Sequence, residues 1–133
     1  MSYLVLSQKL PPKEYRDEVG KVYNYPKRYW NRIETGDRFI YHQPHSGPRA
    51  GKVYFGCGII GSIRQDPQDA KRRIAELLNY MEFIRPVPVS RDKKFIEPAI
   101  RSSIEMVGNA VRKIDADTAT LILRLSETDP PWR

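Results

Sequence analysis

The sequence describes a basic chain of 133 residues, whose 23 lysines and arginines against 16 acidic residues give a net charge of +7. This length is typical of a single domain, and a hydrophobic content of 40% is enough to build a core, which excludes a disordered chain. The sequence has no apolar run long enough to span a membrane and no signal peptide. The basic surplus predicts affinity for polyanions.

Cysteine usage indicates the compartment. Cys57 is the single cysteine, so no intrachain disulfide can form. Secreted domains of this size commonly depend on disulfides, whereas proteins of a reducing cytosol do not. We therefore expect a cytoplasmic protein without a membrane-bound segment.

The first predicted elements are a strand, a long loop and a short helix. Residues 3–7 are rich in leucine and valine and predict a strand. Residues 9–25 contain Pro11, Pro12 and Gly20 and lack a clean period, which indicates a loop. Pro26 can open a helix and Gly36 can end it, so we predict a short helix over 27–35.

The middle of the chain predicts two strands of an antiparallel pair. In residues 37–43, Phe39 and Tyr41 share one face and Ile40 and His42 share the other. A glycine- and proline-containing turn over 45–51 separates this strand from a longer one over 53–63. Three glycines inside the longer strand predict bulges or a sharp bend.

The last part of the chain is less regular. Residues 70–89 fit a helix in their first half, and we favour a strand over their second half as the hairpin partner of 53–63. Asp115 can cap a helix over 116–126, where Ala119, Ile122 and Leu123 recur at helical spacing. The other segments are predicted as a turn over 66–69, a loop over 91–101 and a short strand over 112–114. The whole chain is thus predicted to be one α+β domain, 1–133, with curved, mainly antiparallel strands and two or three short helices.

The sequence carries no recognisable catalytic or cofactor motif. It lacks a phosphate-binding loop, and the pattern Gly56-x-Gly58-x-x-Gly61 lies within a strand, where a dinucleotide fingerprint does not function. His42 and His45 with Cys57 fall short of a zinc ligand set. We therefore expect no metal, no cofactor and no enzymatic activity in this domain.

The region 15–41 combines aromatic and basic residues. Half of the aromatic residues of the chain fall in this fifth of the sequence, interleaved with lysines and arginines. Aromatic rings stack on unpaired or flipped bases, and the cations neutralise phosphates. This composition predicts nucleic-acid binding, although some of these rings are expected to fill the core.

The order and spacing of several short motifs resemble those of EVE-type PUA-like domains. The chain is similar in particular to the domains at the front of modification-dependent HNH restriction endonucleases. The matching positions extend over nearly the whole chain and are Tyr23, Tyr25, Pro26, Tyr29, Gly36, Asp37, Tyr41, Pro44, Tyr54, Phe55, Gly56, Gly58, Phe83, Pro86, Val87, Asn109, Val111, Arg112 and Ile114. His42 departs from the family pattern, which has a second tyrosine there.

The resemblance implies a curved β pseudo-barrel that takes a flipped DNA base into a concave pocket. In the restriction-linked members this base is often 5-methylcytosine or 5-hydroxymethylcytosine. No nuclease motif occurs in the sequence, so a nuclease is expected on a fused domain or an associated partner. The predicted base pocket comprises Tyr23, Asn24, Tyr25, Trp30, Asp37, Tyr41, His42 and Asn109. The predicted phosphate contacts are Lys21, Lys27, Arg28 and Arg112.

Three alternatives remain open at this stage. An RNA-binding PUA-like module would carry the same charge and the same aromatic residues. A small-molecule-binding or hydrolase domain could use the same barrel with a pocket of charged residues of shifted pKa. In a plain interaction domain, the aromatic residues would be core or partner surface.

Overall fold

The computed structural model describes residues 1–8, 17–44, 52–100 and 109–132. Within these ranges the chain forms eight strands, one 3-10 helix and one α-helix. The strands are β1 Tyr3–Ser7, β2 Val22–Pro26, β3 Arg38–Gln43, β4 Val53–Asp66, β5 Asp69–Pro88, β6 Ser90–Arg91, β7 Lys94–Phe95 and β8 Val111–Ile114. The 3-10 helix spans Lys27–Arg32 and helix α1 spans Ala116–Ser126.

Six strands form one curled mixed sheet in the order β2-β5-β4-β3-β1-β8. β1 and β3 run parallel, and the other neighbours are antiparallel. β6 and β7 form a separate small hairpin. The result is a curved α+β half-barrel with little helix, in line with the predicted fold class at this level of detail.

The long hairpin of β4 and β5 dominates the sheet. Its register shifts at several places, including between Tyr54 and Gly56 and between Cys57 and Ile59, so the strands bend as the glycines predict. Gly56 lies against the ring of Tyr80 and Gly58 against the ring of Phe39, where a Cβ atom would come within 2.5 Å and 2.6 Å of ring carbons. These glycines thus allow close packing of the sheet against aromatic rings.

The sheet has a hydrophobic core on each face. The barrel core lies on the concave face and contains leucines of β1 with aromatic residues of β2, β3 and β4. The helix-side core lies on the other face, where α1 packs over the sheet through Ala119 and Ile122. Phe39 and Tyr41 belong to the barrel core and Ile40 to the helix-side core, which confirms the predicted alternation of β3.

Several predicted elements are confirmed. β1, β3, β4 and β8 lie where the strand patterns place them, and α1 has the predicted limits. The Asp115 side chain caps α1 by accepting a hydrogen bond from the Thr118 N–H at 2.7 Å. Gly36 follows the short helix with a φ of +93° in its turn. The predicted turn over 45–51 lies outside the described residues.

Two predicted elements were wrong. Residues 22–25 were expected in a loop but lie in β2, because residues 22–26 pair with residues 72–76 of β5. The first half of 70–89 fits a helix by its spacing but forms the first half of β5, where it is hydrogen-bonded to β2 on one side and β4 on the other. The described helices are one α-helix and one 3-10 helix, and neither is long and apolar enough to cross a membrane.

Candidate nucleic-acid interface

Three tyrosines that were predicted to line a base pocket lie in the barrel core. The side chains of Tyr23, Tyr25 and Tyr41 are 5%, 0% and 0% exposed. Tyr41 stacks on Phe55 with ring centroids 5.0 Å apart and planes 5° apart. Burial raises the pKa of Tyr25 to about 12, so its hydroxyl stays neutral. The prediction that these rings form an open pocket is therefore not met in this structure.

The hydroxyl groups of the core tyrosines tie distant segments together. Tyr23 donates a hydrogen bond to the Ser7 carbonyl oxygen at 2.9 Å. The Gly20 N–H donates to the Tyr41 hydroxyl at 2.9 Å, and the Ala110 N–H donates to the Tyr29 hydroxyl at 3.0 Å. A buried hydroxyl needs such a partner, so Tyr23, Tyr29 and Tyr41 have a structural role. The buried Tyr25 hydroxyl, in contrast, has no hydrogen-bond partner among the described residues.

Two of the predicted base readers are also engaged inside the fold. The Asn24 side chain donates to Asp66 at 2.8 Å and accepts from Arg72 at 2.5 Å. Asp37 accepts one hydrogen bond from the Ser2 N–H at 2.8 Å and another from the Glu34 N–H at 2.9 Å. Asp37 thus fixes the turn before β3.

His42 lies on the opposite face of the sheet from the tyrosines. It is fully buried, and its Nδ1 lies 3.0 Å from the Ser7 Oγ. Its ring also contacts the ring of Tyr54, with centroids 5.9 Å apart. The structure therefore does not bring the eight predicted pocket residues together, since the three tyrosines lie in the barrel core and His42 lies on the opposite face of the sheet.

A buried ion pair lies beside His42 and Tyr54. Arg112 donates from Nε to one oxygen of Glu97 at 2.5 Å and from Nη2 to the other at 2.7 Å. The Tyr54 hydroxyl donates to the same carboxylate at 2.5 Å. Burial disfavours the charged guanidinium, but the hydrogen bonds and charge of Glu97 outweigh it and raise the pKa of Arg112. Arg112 was predicted to contact phosphate, but it is 7% exposed and its fork is occupied by Glu97.

A cleft of about 420 Å³ opens beside this ion pair. Its polar lining includes Asn109, Arg112 and Glu97, and its apolar lining includes Ile100 and Ile114. We call it the β8 cleft. Of the predicted pocket residues, Asn109 lies here, while Glu97 and Tyr54 were not predicted because no local pattern marks either as a polar partner of Arg112.

A group of cations surrounds Trp30 on the neighbouring surface. The guanidinium carbon of Arg73 lies 4.2 Å from the Trp30 ring centroid, and the Lys27 ammonium lies 5.8 Å from it. Arg28 covers the adjacent Tyr29 ring at 5.0 Å. We call Lys27, Arg28, Trp30 and Arg73 the cationic platform.

The cations of the platform have no acidic partner in the described part of the chain. The ion pairs there join Lys21 to Glu18, Arg85 to Glu127, and Arg112 to Glu97. Lys27 and Arg28 are exposed, and Trp30 and Arg73 are partly exposed. An uncompensated cluster of this kind attracts anions.

The remaining predicted phosphate contact lies apart from the platform. Lys21 precedes β2, at the end opposite to the 3-10 helix, and its ammonium lies 3.7 Å from Glu18 with both side chains exposed. Such an exposed pair is weak and leaves the ammonium accessible to solvent.

The described residues show no candidate metal site. They contain no cluster of three histidine, cysteine or acidic side chains that could hold an ion, and His45 lies outside them. Cys57 is buried, which raises the pKa of its thiol to about 12 and leaves it unreactive at neutral pH.

Comparison with known proteins gives structural relatives only. No family model matches the chain, and no curated protein matches it. Rpa0253 from Rhodopseudomonas palustris is similar in structure, with a TM-score of 0.64 and 17% identity over 96% of this chain and 94% of that one. Atu2648 from Agrobacterium tumefaciens matches with a TM-score of 0.64 and 13% identity over 95% and 93% of the two chains. A hypothetical protein from Leishmania major matches with a TM-score of 0.62 and 11% identity over 96% and 95%. At such identities the likeness shows a shared fold and says nothing about activity.

Proposed function

We propose that the protein is a non-catalytic DNA-binding domain of the EVE-type PUA-like kind. The cationic platform docks on backbone phosphates, and the adjacent β8 cleft receives an unstacked base. The observation that carries this proposal is the Trp30 ring beside Arg73 and Lys27, with no carboxylate of the described residues paired to either cation. The motifs that resemble the family support it from the sequence.

The platform suits phosphates because its cations form no ion pair with a described carboxylate that a phosphate would have to displace. Neutralising a phosphate with a lysine or arginine releases condensed counterions, so binding is expected to weaken steeply with salt. The partly exposed Trp30 ring adds a stacking surface, which is worth about 1–3 kcal/mol for each base that it engages. These contacts give affinity but carry no sequence information.

The β8 cleft suits a base because it combines polar and apolar groups. The Asn109 amide, whose oxygen lies 3.4 Å from Arg32 Nη1, brings a hydrogen-bonding group to the cleft, and Ile100 and Ile114 offer apolar contact. A 5-methyl group buried against such residues is worth about 1 kcal/mol. The domain is therefore proposed to favour a duplex with 5-methylcytosine or 5-hydroxymethylcytosine, as the recognition module of a modification-dependent restriction system whose nuclease lies elsewhere.

A titration of matched nucleic acids tests this proposal. The Trp132→Phe variant leaves Trp30 as the sole tryptophan. The fluorescence of Trp30 would be followed while the variant is titrated with unmodified, 5-methylcytosine and 5-hydroxymethylcytosine duplexes at two salt concentrations. We expect saturable quenching, a steep salt dependence and a severalfold preference for a modified duplex. Tighter binding to an RNA control would assign the domain to RNA, and no saturable binding to any probe would overturn the proposal.

A further inference from the structure

A second cleft, larger than the β8 cleft, lies at the start of β1 and β3, beside the C-terminal end of α1. Its volume is about 620 Å³. Tyr3, Arg38 and Trp132 form one side, and Leu123 and Arg124 of α1 form the other. We call it the Arg38 cleft.

Aromatic rings hold Arg38 at the base of this cleft. Its guanidinium carbon lies 5.4 Å from the Tyr3 ring centroid and 5.6 Å from that of Trp132. Its Nη1 donates to the Tyr3 hydroxyl at 2.7 Å, while its Nε has no hydrogen-bond partner among the described residues. The guanidinium is thus fixed in place, with donor capacity that the described part of the fold does not use.

The charges around the Arg38 cleft leave two guanidinium groups uncompensated. Neither Arg38 nor Arg124 forms an ion pair with a described residue. Two carboxylates also line the cleft. They are Asp129 and Glu127, and the Glu127 carboxylate pairs with Arg85 at 3.6 Å. Arg38 and Arg124 are thus the cationic groups that the cleft offers to a ligand.

The Arg38 cleft and the proposed nucleic-acid interface use different residues. Tyr3 is the register partner of Arg38 on β3 and of Ile114 on β8, and Ile114 lines the β8 cleft. The two clefts are therefore neighbours across β1, but they share no lining residue. The platform lies on the 3-10 helix and β5, on neither side of this cleft.

We infer that the Arg38 cleft binds a small organic anion with a flat apolar body. Guanidinium groups bind phosphate or carboxylate oxygens through paired hydrogen bonds, and Arg38 is already oriented by its two rings. The rings of Tyr3 and Trp132 and the side chain of Leu123 offer contact for an aromatic body. The inference does not depend on nucleic-acid binding, since it uses different residues.

Fluorescence of Trp132 tests the inference. In the Trp30→Phe variant Trp132 is the sole tryptophan, and it would be titrated with phenyl phosphate, benzoate and inorganic phosphate. We expect phenyl phosphate or benzoate to quench the fluorescence to saturation. The tighter-binding probe would show whether the cleft prefers a phosphate or a carboxylate group. Inorganic phosphate should bind more weakly, because it lacks the ring. Failure of both aromatic probes to saturate would overturn the inference.

Variants locate the binding. Arg124→Ala, on the exposed face of α1, should weaken the aromatic anion by about tenfold or more, as expected for a lost charge-assisted hydrogen bond. Arg38→Lys keeps the charge but loses the planar fork, and should also weaken binding. Arg64→Ala, which removes an exposed cation from β4, is the matched control and should leave affinity unchanged. Equal affinity in the Arg124→Ala variant and the parent, or quenching only by DNA, would contradict the assignment.

Discussion

The guanidinium of Arg32 joins the 3-10 helix to β8, because its Nη1 donates to the Val111 carbonyl oxygen at 2.9 Å. The same nitrogen lies 3.4 Å from the Asn109 side-chain oxygen. The helix that carries Lys27, Arg28 and Trp30 is thereby held beside the β8 cleft. A phosphate on the platform and a base in the cleft can therefore belong to one bound strand.

The first prediction concerns the two exposed cations of the platform. A Lys27→Ala/Arg28→Ala double variant should bind DNA more weakly and lower the slope of log affinity against log salt by about two, since each neutralised phosphate contributes about 0.9. Titration of a labelled duplex by fluorescence anisotropy at several salt concentrations measures both. The Arg85→Ala/Arg124→Ala variant removes the same charge near α1 and should keep the parent slope. Equal slopes for the two double variants would mean that only net charge attracts DNA.

The second prediction concerns the buried ion pair. Glu97→Gln leaves the Arg112 charge buried without its carboxylate, so the free energy of unfolding should fall by about 3–5 kcal/mol. Urea unfolding followed by tryptophan fluorescence measures this change. Glu18→Gln removes the carboxylate of the exposed pair with Lys21 and should change stability by less than about 1 kcal/mol. A loss of similar size in both variants would show that the buried Glu97–Arg112 pair contributes no more to stability than the exposed pair.

The third prediction concerns the glycines of β4. A Cβ on Gly58 would lie 2.6 Å from a Phe39 ring carbon and 2.9 Å from the Leu78 carbonyl oxygen. Because backbone cannot move aside as a side chain can, Gly58→Ala should destabilise the protein by about 1–3 kcal/mol or more.

Gly36→Ala provides the contrast for Gly58. Gly36 has open space around it but a positive φ, so its replacement costs only backbone strain of about 1–2 kcal/mol. Thermal unfolding of both variants makes the comparison. A Gly58→Ala variant as stable as the parent would contradict the tight approach of β4 to Phe39.

Much of the sheet could be predicted from local patterns. The alternation of Phe39, Ile40 and Tyr41 identifies both faces of β3, and Asp115 marks the start of α1. β2 could not be predicted in this way, since Tyr23 and Tyr25 become strand residues only through pairing with β5, about fifty residues further on. Propensity is a weak guide where such distant pairing decides the conformation.

Only part of the candidate interface could be predicted from the sequence. Lys27, Arg28 and Trp30 are close in sequence, and their cluster of charge and aromatic surface is visible there. Arg73 joins them only because β2 and β5 pair Tyr25 with Arg73. Tyr23, Tyr25 and Tyr41 were expected to line an open base pocket but are buried, because composition cannot tell a core ring from a stacking ring.

The fourth prediction concerns Asp17. Burial raises the pKa of this carboxyl from 3.8 to about 6, and the hydrogen bond from the Asn24 N–H only partly opposes this effect. The folded state thus binds the proton more tightly than the unfolded state. This contribution to stability is full below about pH 4 and is lost as the pH rises through about 6.

Asp17→Asn tests this pH dependence. The amide oxygen can still accept from Asn24, but it does not ionise, so the variant should lose the decline in stability between about pH 4 and 6. Urea midpoints for both proteins across this range measure the difference. Parallel curves would show that the Asp17 carboxyl has an ordinary pKa in the folded state.

The most direct test of the proposed function is to map the bound surface by amide chemical shifts. A labelled protein would be titrated with the modified duplex that binds most tightly, and shifts would be followed residue by residue. The proposed interface predicts the largest changes at Lys27–Arg32, around Arg73 of β5 and at Val111–Ile114 of β8. Changes confined to α1 or the β6–β7 hairpin, with these three segments unmoved, would contradict it.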